Sequence, residues 1–463
     1  MIEIVVISTP SLGDRSYLAT DGTVALVVDP QRDIDRVLVA AADRGVAVTA
    51  VFETHIHNDY VSGGLALARE TGAAYHVNAA DQVAFGRAAV ADGDEVRVGT
   101  MRVRALATPG HTFTHLSYLL TDAATGEVAA VFTGGCLLNG STGRPDLFGA
   151  AHTGELAAAQ HTSARRLASV LPDATMVLAT HGFGSFCAAG PPAAASSTIG
   201  DEKRANPALT LDQDRYVTGL LASLDAYPGY YARMGPANAA GADAPALLPP
   251  PRAEAAEIAA RIAAGEWVVD LRARRAFAAA HVPGSLSFEL GDAFTTNLGW
   301  LLPLGTPLTL LADTPCQVAA AQRELSRIGV DRLAGAATGV TRDLIGSGRA
   351  AACPVSGFRG LAAARRPGRV TVLDVRRPLE WAVGHIDGAL HIPLHELPGR
   401  LGELPGLPVW VHCQGGYRAS VAASLLQAAG HTVTVVDDDF AGAAAAGLPL
   451  TGDAVPSGAL SAA

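Results

Sequence analysis

The sequence predicts a multidomain protein in which an α+β domain is followed by α/β domains with parallel sheets. Three observations carry this reading. The chain has 463 residues, more than one hydrophobic core usually supports. Its first half alternates short apolar runs with turns, and several of those runs end in histidine. Its second half repeats a pattern of strand, helix and strand with short connections, which implies parallel units. The expected boundaries are a first domain at 1–237, an alanine- and proline-rich linker at 238–252, two similar domains at 253–352 and 357–452, and a small polar tail at 453–463 expected to be disordered.

Composition narrows the class. Apolar residues make up 49% and charged residues 17%, as in a globular protein, and no apolar run is long enough to cross a bilayer. The formal charge is −10 and Lys203 is the only lysine, so there is no basic stripe for nucleic acid or anionic lipid. Met1 to Ile7 carries an acid where a signal peptide has basic residues. Five thinly spread cysteines suit a reducing compartment rather than a disulfide framework. A cytoplasmic protein is expected, and its state of homo-oligomerisation stays open.

In chain order, Met1–Ile7 and Ala25–Pro30 read as strands, and residues 33–44 as a helix ended by Gly45. The apolar run Val46–Phe52 then leads into Glu53-Thr54-His55-Ile56-His57-Asn58-Asp59-Tyr60. A strand that stops in a loop leaves its last side chains at the rim of a sheet, so His55 and His57 can point into one cleft that Asp59 reaches from the turn. Neutral imidazoles suit zinc or iron, and a carboxylate beside them binds or orients water. A helix is expected from Gly63 to Thr71, then strands at 96–98, 101–107, 115–120 and 128–132. The turn Thr108-Pro109-Gly110-His111-Thr112 offers His111 as a third ligand. The segment 176–182 ends on His181, a fourth.

In the second half, the Val268–Arg272 segment with His281–Gly284 matches Val372–Arg376 with His385–Gly388 at a constant offset. Residues 408–412 read as a strand, 413–418 as a loop and 419–429 as a helix. Cys413 therefore begins a turn whose amides can converge on its sulfur. The helix N-terminus and Arg418 favour negative charge there, Gly415 and Gly416 allow the positive φ such a cradle needs, and Tyr417 completes the loop. In the first copy the matching strand, 307–311, runs into Ala312, so that copy lacks the nucleophile. Cys316 lies too far along its loop to replace it. Cys136, Cys187 and Cys353 read as packing residues.

These segments resemble known families. H-x-H-x-D, G-H-T and the late histidine resemble the metallo-β-lactamase fold, which implies an αββα sandwich for the first half. Both copies in the second half resemble rhodanese modules. Arg144-Pro145-Asp146-Leu147 and the stretch Thr198–Pro207 resemble the persulfide dioxygenase branch, which oxidises glutathione persulfide at one non-haem iron. The resemblance implies Fe(2+), with Zn(2+) as the alternative. It implies ligands at His55, His111 and position 135, where this chain has glycine. Tyr60 stands where the final motif histidine is missing, so a binuclear centre lacks ligands. One metal on His55, His57 and His111 remains, with Asp59 or Cys136 as the nearby candidates for the missing acid and His181 as a further candidate. Arg144, through its planar fork, and Tyr60 are the candidates for contact with a glutathione-like substrate. The function implied is persulfide oxidation to sulfite joined to sulfur transfer through a Cys413 persulfide, with a persulfide or thiosulfate and glutathione or another small thiol as partners. Two alternatives stand beside it: a sulfurtransferase whose first domain is a metal-poor binding module, and a zinc hydrolase of the glyoxalase II kind.

Overall fold

The computed structural model describes residues 2–190, 194–346, 348–366 and 368–452; the expected disordered tail lies outside them. The described chain forms two compact units, one ending at Ala246 and the other beginning at Leu247, with residues 326–329 counted in the first. Among the described residues no helix is long and apolar enough to cross a membrane.

The first unit is a four-layered αββα sandwich. Its first sheet follows chain order: Glu3–Thr9, Asp14–Thr20, Val24–Val28, Ala47–Phe52, Ala74–Asn78 and Ala88–Val90. The second runs through Glu95–Val98, Met101–Ala107, Leu116–Asp122, Val128–Gly134, Met176–Ala179 and Ser197–Thr198. Period-two burial explains the layering, since successive side chains of a strand point to opposite faces. Tyr17, Leu26 and Phe52 face Val103, Tyr118, Leu120 and Phe132 between the sheets. On the outer side of the first sheet, Val27 and Val51 pack on Val37 and Leu67 of two helices, Asp35–Ala42 and Gly64–Thr71. On the outer side of the second, Val131 and Val177 pack on Ala157, Ala164 and Leu167 of the 21-residue helix Ala150–Val170. That helix carries the parallel crossover between Val128–Gly134 and Met176–Ala179.

The sheets bring the ends of Val24–Val28, Ala47–Phe52, Val128–Gly134 and Met176–Ala179 together at one rim. The expected linker begins too early. The helix Tyr231–Ala240 extends into its first residues, and the buried Asn238 accepts from Ser62 N at 2.8 Å and donates to the carbonyls of His57 and Tyr60, each at 2.8 Å. Residue 238 thus fastens the histidine loop from outside, a contact with no signature in local composition.

The second unit contains two parallel sheets. One orders its strands Leu286–Ser287, Trp267–Asp270, Leu308–Ala312, Gly335–Thr338, and Arg252 of the expected linker bridges to Ala336 beside it. The other runs Val355–Ser356, Val433–Val436, Val409–His412, Thr371–Asp374, Leu390–His391. The repeated sequence motif builds the same clamp twice. Arg272 Nη2 lies 2.6 Å from Asp270 and 3.0 Å from the Ala280 carbonyl; Arg376 Nη2 lies 2.7 Å from Asp374 and 2.7 Å from the Gly384 carbonyl. The motif histidines then stack on an aromatic ring four residues back, His281 on Phe277 at 3.9 Å and His385 on Trp381 at 3.5 Å. Both aspartates are fully buried, so each guanidinium compensates a charge that would otherwise lie unpaired in the interior. Arg376→Met removes that compensation while keeping bulk. Denaturant unfolding of the variant is expected to show a loss of about 3–5 kcal/mol; a loss below 1 kcal/mol would mean that Asp374 is satisfied without the arginine.

Candidate functional site

At the rim of the sandwich four imidazoles converge from three strand ends, His55 and His57 after Ala47–Phe52, His111 after Met101–Ala107 and His181 after Met176–Ala179. Each has one nitrogen tied from behind. His55 Nδ1 lies 2.9 Å from Thr54 Oγ1, His111 Nδ1 donates to the Arg144 carbonyl at 2.8 Å, and His181 Nδ1 lies 2.9 Å from Asp14 and 3.2 Å from Asp59. His57 is held through its other nitrogen: Nε2 lies 3.2 Å from Asp29, 3.1 Å from Glu53 and 3.0 Å from the Tyr60 hydroxyl. The opposite nitrogens are left for a ligand. His57 Nδ1 and His111 Nε2 are buried with no hydrogen-bond partner among the described residues, and His55 Nε2 faces His181 Nε2 at 3.3 Å. Two nitrogens each about 2.0–2.1 Å from one tetrahedral ion stand roughly 3.3–3.4 Å apart. Ligand atoms of His55, His57 and His181 all lie within 4.8 Å of one another, as do those of His111, His181 and Cys187. An imidazole whose rear N–H is fixed by an acceptor presents its other nitrogen to a metal, so the residues fit a transition-metal ion.

Electrostatics prepares the same pocket. Burial, reinforced by the neighbouring imidazoles, pushes His55 well below the usual histidine range and His111 down to about 3, so both rings are neutral donors at pH 7. Burial opposes charge on His181, but the Asp59 and Asp14 carboxylates prevail and raise it to about 10. Burial and the neighbouring Asp59 raise Asp14 to about 8, while Asp59 is held well below the usual carboxylate range by His181 despite its own burial. A bound cation therefore displaces a proton from His181. Below the His181 value, metal affinity is expected to rise with pH, by about tenfold per unit for one displaced proton. Calorimetric titration in two buffers of different ionisation enthalpy counts that proton; no release at pH 7 would mean that His181 takes no part.

The second chemical centre follows the strand Val409–His412. The two sheets of the second unit are paired alike: Asp270 lies opposite Leu311, and Asp374 opposite His412. The next residues are Ala312 in one copy and Cys413 in the other. Cys413 is 2% exposed, and its Sγ accepts the Gly416 N–H at 3.2 Å at the start of the helix Tyr417–Ala428. Gly416 has φ +91°, and an added Cβ would lie 2.1 Å from Asp437 Oδ1. Gly415 does not share that conformation; it is an exposed position with open space beside it. Cys316 sits in the first turn of its own helix, Pro315–Arg327, and is exposed.

The Metallo-beta-lactamase superfamily profile matches residues 15–181 and the Rhodanese-like domain profile residues 360–446. The chain has a metallo-β-lactamase fold followed by a rhodanese domain. Hydroxyacylglutathione hydrolase from Acidiphilium cryptum (strain JF-5) is 37% identical over 130 residues, covering 27% of this chain and 53% of the relative. The chain spans about half the length of the curated relatives it matches first. A crystal structure of a metallo-beta-lactamase from Staphylococcus aureus subsp. aureus COL is 27% identical with a TM-score of 0.66, over 72% of this chain and 98% of that one. The structure of ETHE1 from Myxococcus xanthus is 29% identical with a TM-score of 0.44, over 51% of this chain and 98% of that one.

Several sequence expectations are corrected by placement. Tyr60 does not face a substrate: it is wholly buried against His57, its hydroxyl also 3.3 Å from the Asp29 carbonyl. Arg144 spends four of its five N–H groups on Asp146 and the Phe186 and Asp225 carbonyls, so its fork is turned inward rather than held open for a glutathione carboxylate. Asp59 stands behind His181 rather than beside His55 and His111, and Cys136 joins none of the clustered ligand groups. Arg418 turns both terminal nitrogens onto Glu380 at 2.6 Å each, and Tyr417 anchors its hydroxyl on the Glu289 carbonyl at 3.2 Å. Cys187, read as packing, lies among the histidines. Asp14, Asp29, Glu53 and His115 were missed. Asp29 alone had a signal, a polar residue closing a buried strand, and it takes φ +50° there.

Gly135 explains the missing carboxylate. An added Cβ would lie 2.2 Å from His111 Cδ2 and 2.6 Å from its Cγ, so the ring occupies the space a side chain at 135 would need. Restoring the acid displaces a ligand. Gly135→Asp is accordingly expected to lower metal content on anaerobic loading relative to the parent, as measured by elemental analysis; a rise would show that His111 can rotate away at little cost.

Proposed function

We propose that this protein acts in sulfur metabolism, with Cys413 carrying sulfane sulfur as a persulfide and the first domain oxidising a low-molecular-weight persulfide at a divalent metal. The observation that carries the first half is the buried Cys413 Sγ receiving the Gly416 amide at a helix start, where a terminal persulfide anion gains a hydrogen bond and a favourable dipole. In the transfer step the Cys413 thiolate attacks the outer sulfur of thiosulfate, a sulfur–sulfur bond breaks, and sulfite leaves with its electron pair. A thiol such as glutathione then takes the sulfur from Cys413 and regenerates the thiolate. In the first domain, persulfide, dioxygen and water give thiol, sulfite and two protons. Iron, when bound, supplies the dioxygen chemistry. The chain's own part is to hold the ligand nitrogens in place: Thr54, the Arg144 carbonyl, Asp14 with Asp59, and Asp29 with Glu53 fix the four rings. Glutathione as carrier is supported by the relationship to hydroxyacylglutathione hydrolase.

A second reading is zinc-dependent hydrolysis of a glutathione thioester. The cluster of His55, His57 and His181 favours it, since three imidazoles with one open position suit catalytic zinc once the ion has displaced the protons that the carboxylates hold on His57 and His181. Oxygen consumption with glutathione persulfide, set against hydrolysis of a glutathione thioester by the same metal-loaded protein, separates the two. Oxygen uptake is expected with iron; thioester turnover without oxygen uptake would favour the second.

For the rhodanese domain, Cys413→Ser is expected to abolish sulfur transfer from thiosulfate, while Cys316→Ser keeps it, because an alcohol cannot hold the sulfane sulfur. The opposite result would reverse the roles of the two copies. The Glu380 contact adds a finer expectation. Burial disfavours its charge, yet Arg418 holds Glu380 down at about 2, so the pair is ionised. Arg418→Met removes the two-pronged partner of that carboxylate, leaving it Arg377 at 3.2 Å, and should slow alkylation of Cys413 at pH 7; Glu380→Gln frees the Arg418 guanidinium and should speed it. Rates unchanged in both variants would assign activation to the backbone amide.

A further inference from the structure

We propose that Cys187 supplies the anionic metal ligand that glycine at position 135 cannot, so that the ion is held by His111, His181 and the Cys187 thiolate. The inference rests on the metal-centre reading above and concerns which atoms make the centre. Ligand atoms of these three residues lie within 4.8 Å of one another, and all three residues are wholly buried. His111 contributes an independent observation: with Nδ1 spent on the Arg144 carbonyl, its Nε2 is a buried nitrogen without a hydrogen-bond partner among the described residues. His181 likewise has Nδ1 on Asp14, which leaves Nε2 toward the pocket.

The loop that carries Cys187 is built to hold it there. Its amide donates to Ser185 Oγ at 3.2 Å, and its carbonyl accepts from Arg144 N at 2.8 Å. Arg144 is the residue whose own carbonyl orients His111. One backbone segment therefore positions both the imidazole and the thiol.

Charge decides between this set and the all-histidine one. Three imidazoles put no negative charge in contact with a divalent ion, since Asp29 and Asp59 stand behind the rings, whereas a thiolate places one unit on the ion itself and is a soft donor suited to zinc or ferrous iron. Burial and the Asp59 and Asp14 carboxylates push the free Cys187 thiol well above its usual range, and the ion's charge drives the proton off on ligation. His111, which fills the space above Gly135, is kept as a ligand in this arrangement, with Cys187 taking the role of the absent carboxylate.

The test uses the full chain in a Cys316→Ser, Cys413→Ser background, loaded with cobalt(II) under anaerobic conditions. We expect about one ion per chain and a near-ultraviolet thiolate-to-cobalt charge-transfer band. Adding Cys187→Ser should remove the band and weaken cobalt affinity by more than about 100-fold, because even partners that only orient a ligand are worth 10–100-fold. Cys187→Asp should retain the ion without the band. Stoichiometric binding with no thiolate band, or a band that survives Cys187→Ser, overturns the proposal and leaves the metal-centre reading standing. Failure of the background protein to bind cobalt overturns both. If Cys187→Ser does not fold, a background spectrum without the band still overturns the proposal, and a band present in the background but lost in Cys187→Asp supports it.

Discussion

The buried carboxylate of Asp29 ties the first unit together. Its Oδ1 accepts from Thr54 N at 2.7 Å and faces His57 Nε2 at 3.2 Å, while Oδ2 accepts from Thr54 Oγ1 at 2.7 Å and from the Thr180 hydroxyl. Thr54 follows a strand of the first sheet and Thr180 one of the second, so one carboxylate joins the rims of both sheets. Burial works against its charge, yet His57 and the donors around it hold Asp29 below the usual carboxylate range. Compensation by several donors is what makes an ionised carboxylate tolerable at that depth.

From that anchor the pocket is built outward by rear contacts. The rings of His55 and His57 lie 4.1 Å apart, and His55 is 4.8 Å from His111 and 5.3 Å from His181. Such crowding of imidazoles is unfavourable if several are charged. The carboxylates divide the labour: Asp29 and Glu53 favour the charged form of His57, Asp14 and Asp59 that of His181, and His55, His111 and His115 stay neutral. His115 accepts the Gly135 N–H at 3.0 Å, which holds the glycine strand end against the cluster.

The second unit repeats one clamp in two parallel sheets while a cysteine closes the middle strand of only one of them. The Asp–Arg clamp and the stacked histidine recur in both copies because they satisfy buried charge and backbone, which every copy needs to fold. The nucleophile answers to no such demand, and Ala312 fits its strand end as well as Cys413 fits its own. The first copy touches the surroundings of Cys413: Ser287 Oγ meets Ser420 Oγ of the following helix at 3.0 Å, and Arg274 and Arg275 hold Asp437, which lies against Gly416.

The sequence by itself determined the order of the domains, the strand-end histidines, the repeated parallel units and the copy that keeps a cysteine at its strand end. Those features are local: period-two apolarity, turn residues and motif offsets act within a few residues of one another. Only the tertiary structure decided what surrounds each of them. Asp14 meets His181 across 167 positions of chain and Asn238 holds the His57 carbonyl across 181, distances over which no periodicity speaks. It likewise turned Arg144 and Tyr60 from expected substrate contacts into internal supports and placed Cys187 beside His111 and His181. The physical reason is that a buried polar group takes whichever partner the packing brings to it, and that partner is set by how two sheets stack rather than by neighbours in sequence.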